Sequence, residues 1–398
     1  MKVICERQAL LAAVNNVASV VPKRTPQAAL SCLKLTATKS AGISELLISG
    51  TDGDTSLQIS IAQVDVASPG TTVISADKFC QIVQAVDKEP TLTIETDNEL
   101  CLIRGTTSRF KIFTHPADQF PAIPEFQAAA ASARSVFAHT AGAFLALVNR
   151  TVFATARETS RYAINGVLLK RDGKKLEMVA TDGRRLALAR ATLKIGADKS
   201  DSAPASCIIP TKALNLFKSV ASNPDDAIRV AITDNRIFFA FEDVVDAKKS
   251  GGDESRPRAV LTSTLVEGAF PPYEDVIPKD HDKRVVVTRE ELATAVREAS
   301  ILTNEESRGV RMAFASKAKT LKLTSRAPEM GESEIDVHLS SYEGEDLEIS
   351  FNPQFIADAL KTIDDAEVQI ELKASNKPGL MRCGNDFLYV VMPVNLPV

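Results

Sequence analysis

The sequence predicts an α+β protein in which one domain type occurs three times, each copy with two helices packed on antiparallel sheets. Three observations predict this fold. A strand and an amphipathic helix open each third of the chain, a second capped helix follows later, and alternating β-branched segments supply the sheets. Pairing the outer strands of such a chain with those of a second copy would close a six-domain ring as a homodimer.

Length and composition agree with several folded domains. A chain of 398 residues is longer than one hydrophobic core usually supports, and 44% hydrophobic with 25% charged residues is ordinary for a globular protein. No apolar run reaches the roughly 18 residues of a membrane span, and the first residues, MKVICERQ, carry charges where a signal peptide needs apolar ones. The sequence predicts a cytoplasmic protein with no membrane partner.

The opening strand and helix are predicted at residues 2–21, 135–156 and 284–303. Apolar residues recur at three- to four-residue spacing along the first and third of these helices, which places them on one face. They are Leu10, Val14, Val17 and Val21 in the first copy, and Leu292, Val296 and Ala299 in the third.

The second helix is predicted at residues 75–86, 210–221 and 352–363. Ser75, Thr211 and Asn352 are expected to cap these helices, because their side chains can accept a hydrogen bond from the first helical turn. Each helix carries one apolar stripe that needs a sheet to cover.

Turn residues shared between the thirds support the repeat. Asn and Asp tolerate turn geometry and bond the turn backbone with their side chains. The shared turns are Thr-Asp-Asn at Thr96–Asn98 and Thr233–Asn235, Thr-Asp-Gly at Thr51–Gly53 and Thr181–Gly183, and Phe-Pro at residues 120–121 and 270–271.

Composition shifts mark the domain boundaries. The Ala-rich run 126–135 and the segment Pro271–Pro278, followed by KDHDK, are typical of linkers. The predicted domains are residues 1–126, 134–272 and 273–398. The polar segment Asp246–Arg258 is expected to be a surface loop of the middle domain.

Charge and cysteine content restrict the function. A net charge of −4 argues against a protein that wraps DNA with a uniformly basic surface, so any DNA contact has to be loose and confined to one surface. The six cysteines are scattered, with no C-x-x-C pair and no histidine at ligand spacing. They are predicted to be reduced core residues, with no metal and no cofactor.

Four segments carry a resemblance to a known family. They are RYAINGVLL (161–169), ATDGRRLALA (180–189), NEESRGVRM (304–312) and FLYVVMPVNL (387–396). In this order they resemble the bacterial DNA sliding clamps, the beta subunits of DNA polymerase III. The resemblance covers the whole length and implies a homodimeric ring, a processivity factor in DNA replication. Such a ring encircles double-stranded DNA without reading its sequence and tethers the catalytic subunit of the replicative polymerase, the clamp loader and other proteins with clamp-binding motifs.

The resemblance implies DNA contacts at Arg24 and in the loop from Arg157 to Tyr162. Glu158 in that loop is a departure that would weaken phosphate contact. Basic residues on or beside the predicted helices are further candidates, although a solvated helix face explains each of them equally well. The complete predicted set is Arg24, Lys78, Arg150, Arg157, Arg161, Tyr162, Lys212 and Lys218.

The resemblance also implies a cleft for partner peptides between the middle and last domains, although core packing would explain its aliphatic residues. Aliphatic side chains and Met make an adaptable apolar slot, and an arginine can add polar anchoring. Asp275, where relatives often carry a basic residue, and the extension Pro397–Val398 are departures. The predicted cleft residues are Ile164, Thr181, Gly183, Arg184, Arg185, Leu186, Pro271, Val276, Val390, Val391, Met392, Pro393, Val394 and Leu396.

The dimer seam is predicted to join the first domain of one copy to the third domain of the other. An apolar centre with opposite charges around it is reasonable interface anatomy. The predicted residues are Arg109, Phe110 and Ile112 in the first domain, and Ile301, Leu302, Glu332 and Glu334 in the third.

Two other function classes compete with the interpretation as a sliding clamp. Asp52, Asp54 and Asp182 could act as catalytic carboxylates, but they occupy matched turns of the repeat, and no nucleophile, phosphate-loop or metal motif accompanies them. The chain is therefore predicted not to be an enzyme. A repeat-built scaffold that binds proteins and has no DNA pore is the alternative, since it fits the acidic balance.

Overall fold

The predicted repeat is present in the secondary structure. The structure, a computed structural model, describes residues 1–40, 43–97, 99–158, 162–193, 204–242, 257–303 and 309–395. The helices in these ranges are α1 (Arg7–Ala18), α2 (Ala76–Ala85), α3 (Phe126–Ser132), α4 (Ala141–Thr151), α5 (Thr211–Val220), α6 (Arg289–Ala299) and α7 (Pro353–Leu360).

The strands of the first and middle thirds are β1 (Lys2–Glu6), β2 (Cys32–Ser40), β3 (Ile43–Thr51), β4 (Thr55–Ile61), β5 (Val64–Ser68), β6 (Gly70–Ser75), β7 (Thr91–Asp97), β8 (Leu100–Arg104), β9 (Arg109–His115), β10 (Ser135–Thr140), β11 (Gly166–Asp172), β12 (Lys175–Thr181), β13 (Arg185–Thr192), β14 (Ala205–Pro210), β15 (Ala227–Ile232), β16 (Arg236–Glu242) and β17 (Ala259–Thr264). Those of the last third are β18 (Lys283–Thr288), β19 (Val310–Ala315), β20 (Thr320–Ala327), β21 (Gly331–His338), β22 (Ser341–Glu343), β23 (Leu347–Phe351), β24 (Glu367–Leu372), β25 (Gly379–Cys383) and β26 (Phe387–Val391).

The chain divides into two compact units, and the middle third contributes to both. The first unit takes its described residues from Met1–Leu145, Leu193–Ala205 and Lys212–Leu265, and the second from Ala146–Thr192, Ser206–Thr211 and Val266–Val398. The predicted domain limits remain a prediction.

The first unit contains one antiparallel sheet of 13 strands in the order β10-β15-β16-β17-β4-β3-β2-β6-β9-β8-β7-β1-β5. The stripe of α1 is buried at Leu10, Val14 and Val17, as its spacing predicts. Four phenylalanines, Phe144, Phe217, Phe239 and Phe241, form an aromatic cluster with ring centroids 5.0 to 5.4 Å apart, the separation at which tilted and edge-on rings attract.

The second unit contains a nine-stranded sheet, β14-β11-β12-β13-β26-β25-β24-β18-β22, and a four-stranded sheet, β21-β20-β19-β23. Helix α6 buries Leu292, Val296 and Ala299. Tyr389 is fully buried, and its hydroxyl donates a 2.9 Å hydrogen bond to the carbonyl oxygen of Phe355. This bond satisfies the polar end of a core aromatic residue.

Two of the three expected helix caps are correct. The Asn352 side chain accepts a 2.9 Å hydrogen bond from the backbone N–H of Gln354, and Ser75 accepts a longer one from that of Lys78. The Thr211 cap was wrong. Thr211 is the first residue of α5, and its hydroxyl donates to the carbonyl oxygen of Asn165 at 2.8 Å.

The turn between β8 and β9 is held by a carboxylate from another loop. Glu89 is buried, and it accepts hydrogen bonds from the backbone N–H groups of Thr106 (2.6 Å) and Thr107 (3.0 Å). A Cβ atom added at Gly105 would lie 2.3 Å from the carboxyl carbon of Glu89, so a larger residue there would displace the carboxylate. The carboxylate therefore fixes the start of β9.

The six cysteines are free thiols. Five are buried and Cys80 is half-buried, which agrees with their prediction as core residues. Burial raises the pKa of Cys5 and of Cys101 to about 12, so these thiols stay protonated and unreactive.

Candidate functional site

The turn Thr181–Arg185, which joins β12 to β13, forms one edge of the candidate site. Gly183 has a φ of +84°, a conformation that favours glycine, and its N–H donates to the Thr181 hydroxyl at 3.1 Å. One carboxylate oxygen of Asp182 accepts hydrogen bonds from the backbone N–H groups of Arg184 and Arg185, each at 3.0 Å. The turn is therefore fixed by its own side chains.

Arg185 ties this turn to the rest of the second unit. Its Nε donates to Asp182 at 3.0 Å, one terminal nitrogen donates to Asp358 at 2.8 Å, and the other donates to the carbonyl oxygen of Phe153 at 2.9 Å. The guanidinium also lies over the Phe355 ring, 4.4 Å from its centroid. Its side chain is only 10% exposed.

The charge of Arg185 is maintained by these partners. Burial by itself lowers the pKa of the guanidinium, but the hydrogen bond to Asp358 and the neighbouring charges outweigh burial and raise it. Because all of its nitrogen atoms are engaged, Arg185 has a mainly structural role. Arg184, which is exposed beside it, is the better candidate for polar anchoring of a ligand.

Strand β26, which pairs with β13, forms the neighbouring edge of the site. Leu186 of β13 lies opposite Val390, and the N–H of Met392 donates to the carbonyl oxygen of Arg184 at 2.9 Å. Since side chains alternate along a strand, Val390 and Met392 line the site while Val391 faces a separate core cavity beside Leu292.

Three predicted cleft residues do not line the cavity that these two edges enclose, and their part in the cleft stays a prediction. Val391 belongs to the core of the last third, and Pro393 and Val394 do not line the cavity; the N–H of Val394 instead donates to the carbonyl oxygen of Ser350 at 2.8 Å. Leu396, the extension Pro397–Val398 and most of the loop Asp246–Arg258 lie outside the described residues.

The edges enclose a cavity of about 230 Å³ with a mostly apolar lining. A cavity of this kind with a few polar groups is the usual form of a ligand site. Its lining comprises Tyr162, Ile164, Thr181, Gly183, Arg184, Arg185, Leu186, Pro271, Pro272, Tyr273, Val276, Val390 and Met392. The exposed ring of Tyr162, predicted to contact DNA, thus lies at this cavity.

Tyr273 forms part of the lining and was not predicted from the sequence. Its hydroxyl donates to Glu177 and accepts a 2.8 Å hydrogen bond from Lys170, whose ammonium group lies 4.5 Å from the ring centroid. Burial and then the hydrogen bond to Glu177 raise the pKa of Tyr273. These contacts fix the ring as a cavity wall.

The cations predicted to contact DNA have different environments. Arg24, Lys78 and Lys218 in the first unit and Arg157 in the second are exposed. Three of the predicted cations have partners: Lys78 pairs with exposed Asp77, Lys212 pairs with Asp52 and bonds the carbonyl oxygen of Val20, and half-buried Arg150 lies 5.8 Å from the centroid of Phe387. Arg161 lies outside the described residues.

The residues predicted for the dimer seam lie at strand edges. In β9, Arg109 is exposed while Phe110 and Ile112 are half-buried, and β6 pairs with β9 only at Thr114 and His115. Phe113, which the sequence analysis missed, is 78% exposed.

In the second unit β21, which carries Glu332 and Glu334, ends the four-stranded sheet. Glu334 pairs there with Lys322 of the neighbouring strand. Ile301, in a helical turn at Ser300–Leu302 beside β21, is 71% exposed, and Leu302 is partly buried.

Within the described ranges, no group of three or more His, Cys, Asp or Glu side chains is arranged to hold a metal ion. In the same part of the chain, no helix is long and apolar enough to cross a membrane.

Comparison with known proteins covers the whole chain. Family models for the DNA polymerase III beta subunit match residues 1–124 as its N-terminal domain, 140–249 as its central domain and 274–395 as its C-terminal domain. The beta sliding clamp of Pseudomonas putida is 31% identical over 394 residues, which is 98% of this chain and 99% of the relative. That of Escherichia coli K12 is 30% identical over 401 residues, with both chains fully covered.

Solved structures give the same result. The crystal structure of the DNA polymerase III subunit beta from Pseudomonas aeruginosa matches with a TM-score of 0.85 at 30% identity, and the sliding clamp from the same organism bound to griselimycin matches with 0.86 at 30% identity. Both chains are covered completely in each match. The chain therefore belongs to the family of DNA polymerase III beta subunits, the beta sliding clamps.

Proposed function

We propose that this protein is a DNA sliding clamp, a non-catalytic processivity factor that encircles duplex DNA and tethers the replicative polymerase. The observation that carries the proposal is the match to all three domains of the family in order, together with relatives that cover the full length of the chain. Since no ATPase motif is present in the sequence, a clamp loader has to open the ring. The protein acts in the cytoplasm, where replication takes place.

The working form is a homodimer with six domains in a ring. The open edge of β9 on one copy pairs with β21 on the other, which covers both edges and buries Phe110, Phe113 and Ile301. Changing Ile301 and Leu302 together to Ala should give folded monomers in sedimentation experiments, with an unchanged circular dichroism spectrum. A dimer that persists in this variant would refute the seam.

DNA passes through the ring without being read. Arg24, Lys78, Arg157 and Lys218 supply loose phosphate contacts, and the topology of the ring keeps the protein on DNA. The engaged cations Arg150 and Lys212 contribute less to these contacts.

The cavity beside Thr181–Arg185 is the cleft for partner peptides. Its apolar lining suits hydrophobic anchor residues from polymerases, the clamp loader and other partners, and Arg184 supplies a polar contact at its rim. A clamp-family structure carries griselimycin as a ligand, which agrees with a ligand-binding surface on these proteins.

Loading onto nicked circular DNA tests the whole proposal. With its cognate loader, the protein should stay on the circle through gel filtration and slide off after the DNA is cut to a linear form. Changing Arg24 and Arg157 to Glu should reduce retention without changing the oligomer. A protein that never remains on the circle is a protein scaffold instead, and a strong preference for one base sequence would contradict sliding.

A further inference from the structure

A second cavity adjoins the proposed cleft. Its volume is about 250 Å³, and it shares Val276 and Met392 with the cleft lining. A single water molecule needs only about 10 to 15 Å³ of such space, so the second cavity has room for a side chain of several atoms. Its other lining residues are Asp275, Pro278, Asp280, His281, Glu371, Leu372, Lys373, Lys377 and Pro378.

Two of the three carboxylates in this cavity already have cationic partners. Asp280 is paired with Lys373, which lowers the pKa of Asp280 and raises that of the lysine. Lys377 lowers the pKa of Asp280 further through its charge.

Glu371 has partners on two sides. Its carboxylate lies 3.0 Å from Nε of Arg382 and 3.2 Å from Nδ1 of His281, and it accepts a 2.6 Å hydrogen bond from Gln369. Its side chain is only 3% exposed. The negative charge of this residue is therefore compensated within the fold.

The third carboxylate, that of Asp275, differs from those of Asp280 and Glu371. Its side chain is exposed, and none of the described residues pairs with its carboxylate. The preceding residue, Glu274, provides a direct contrast, since Lys170 lies 3.0 Å from its carboxylate. Asp275 precedes Val276, which lines both cavities, so the unpaired charge lies where the cleft passes into the second cavity.

We propose that the second cavity is a subsite for a basic side chain, Lys or Arg, that flanks the hydrophobic anchor of a partner peptide. This inference rests on the proposed function of the cleft. Asp275 supplies the counter-ion, and Val276, Pro278 and Met392 contact the aliphatic stem. An acidic residue beside Val276 would meet the carboxylate of Asp275, whereas the charge of Lys377 in the same cavity acts on Asp280. Arg184, which lines the cleft but not the second cavity, disfavours a basic residue beside it, so the cleft selects the direction of charge along the peptide.

The expected effect is modest because Asp275 is exposed. An exposed ion pair changes affinity by about two- to fivefold, and salt screens it. The subsite therefore discriminates between partners that share the same hydrophobic anchor.

Peptide titration tests the inference in the full-length protein. The probes are synthetic copies of the clamp-binding segment of the cognate polymerase, with Lys, Ala or Glu on either flank of an unchanged anchor. The Lys peptide should bind about two- to fivefold more tightly than the Glu peptide at one flank only, and this preference should fade at high salt. Asp275→Asn should remove the preference and Asp275→Lys should reverse it, while Glu274→Gln is the matched control that leaves it unchanged.

Two outcomes separate this inference from the proposed function. If the Ala peptides bind but the flanking charge has no effect, or if Asp275→Lys keeps the preference for Lys, the subsite is refuted and the cleft stands. If the Ala peptides do not bind to the wild-type protein, the cleft itself is refuted, and the subsite with it.

Discussion

Two pairs of neighbouring strands, one pair in each unit, share a backbone arrangement and differ in their side chains. In the first unit β4 pairs with β17, and in the second β13 pairs with β26. Each strand pair begins at a Thr-Asp-Gly turn. The N–H of Thr264 donates to the carbonyl oxygen of Asp54 at 2.9 Å, and that of Met392 donates to the carbonyl oxygen of Arg184 at the same distance.

The side chains at matching positions explain why the β13–β26 pair carries the apolar cavity. Three hydroxyl residues in or beside the β4–β17 pair correspond to three apolar residues in or beside the β13–β26 pair. The pairs are Ser56 with Leu186, Thr262 with Val390, and Thr264 with Met392. A repeat can therefore gain a binding site on an unchanged backbone by replacing hydroxyl groups with aliphatic ones.

The two turns also use their aspartates differently. In the first turn Asp52 pairs with Lys212, whose side chain is 46% exposed. In the second, Asp182 pairs with Arg185, which is 10% exposed and also holds Asp358. Exposed pairs contribute little to stability, whereas breaking a buried pair leaves an uncompensated charge.

The largest expected effect comes from removing Arg185. Arg185→Ala should destabilise the second unit by about 2 to 4 kcal/mol, because Asp182, Asp358 and the carbonyl group of Phe153 lose their partner. Hydrogen exchange read by mass spectrometry should show faster exchange in the second unit alone. The matched control is Arg190→Ala in the same strand, where an exposed pair with Glu177 is lost. Equal effects of the two changes would contradict the structural role of Arg185.

A smaller effect is expected when Met392, beside the β13–β26 pair, is replaced by the threonine found at the matching position of the β4–β17 pair. Met392→Thr removes an exposed apolar side chain from the cleft and should weaken polymerase-peptide binding by about 1 to 3 kcal/mol. Calorimetric titration measures this, and sedimentation should show an unchanged dimer. Thr264→Met at the matching position is the control and should leave affinity as it was. Unchanged affinity in the Met392 variant would contradict the assignment of this cavity as the cleft for partner peptides.

The smallest effect is expected at the first turn. Asp52→Asn keeps an oxygen that can bond the turn backbone but loses the charge paired with Lys212, so the free energy of unfolding should fall by less than about 1 kcal/mol. Asp182→Asn, the matched change, should cost more because it removes one of the two carboxylates that compensate buried Arg185. Thermal unfolding of both variants tests this order, and a larger loss at Asp52 would reverse the comparison of the turns.

Local patterns allowed much of the fold to be predicted. The stripe of α1 and the Asn352 cap depend on residues close together in the chain, and the structure contains both. The Thr-Asp-Gly turns were also recognisable, since Asp and Gly bond and adopt the turn locally. The order of the 13-stranded sheet depends on pairing between distant segments, which no local pattern specifies.

The site was predicted less completely, for the same reason. The resemblance located Leu186, Val390 and Met392, but the engagement of Arg185 depends on Asp358, far along the chain. Strict alternation in β26 could have separated Val391 from its neighbours, and it is the signal that was missed.

The carboxylate of Glu89 makes the β8–β9 hairpin sensitive to acid. The backbone N–H groups of Thr107 and Thr106 lower the pKa of this carboxyl from 4.5 to about 2. A carboxyl whose pKa is lower in the folded state stabilises that state above the unfolded value, and the contribution is lost as pH falls from about 4.5 to about 2. Proton uptake over that window should weaken the hydrogen bonds that hold the turn before Arg109 and Phe110. Acid should therefore weaken the β9 side of the proposed dimer seam through a residue that lies outside that seam.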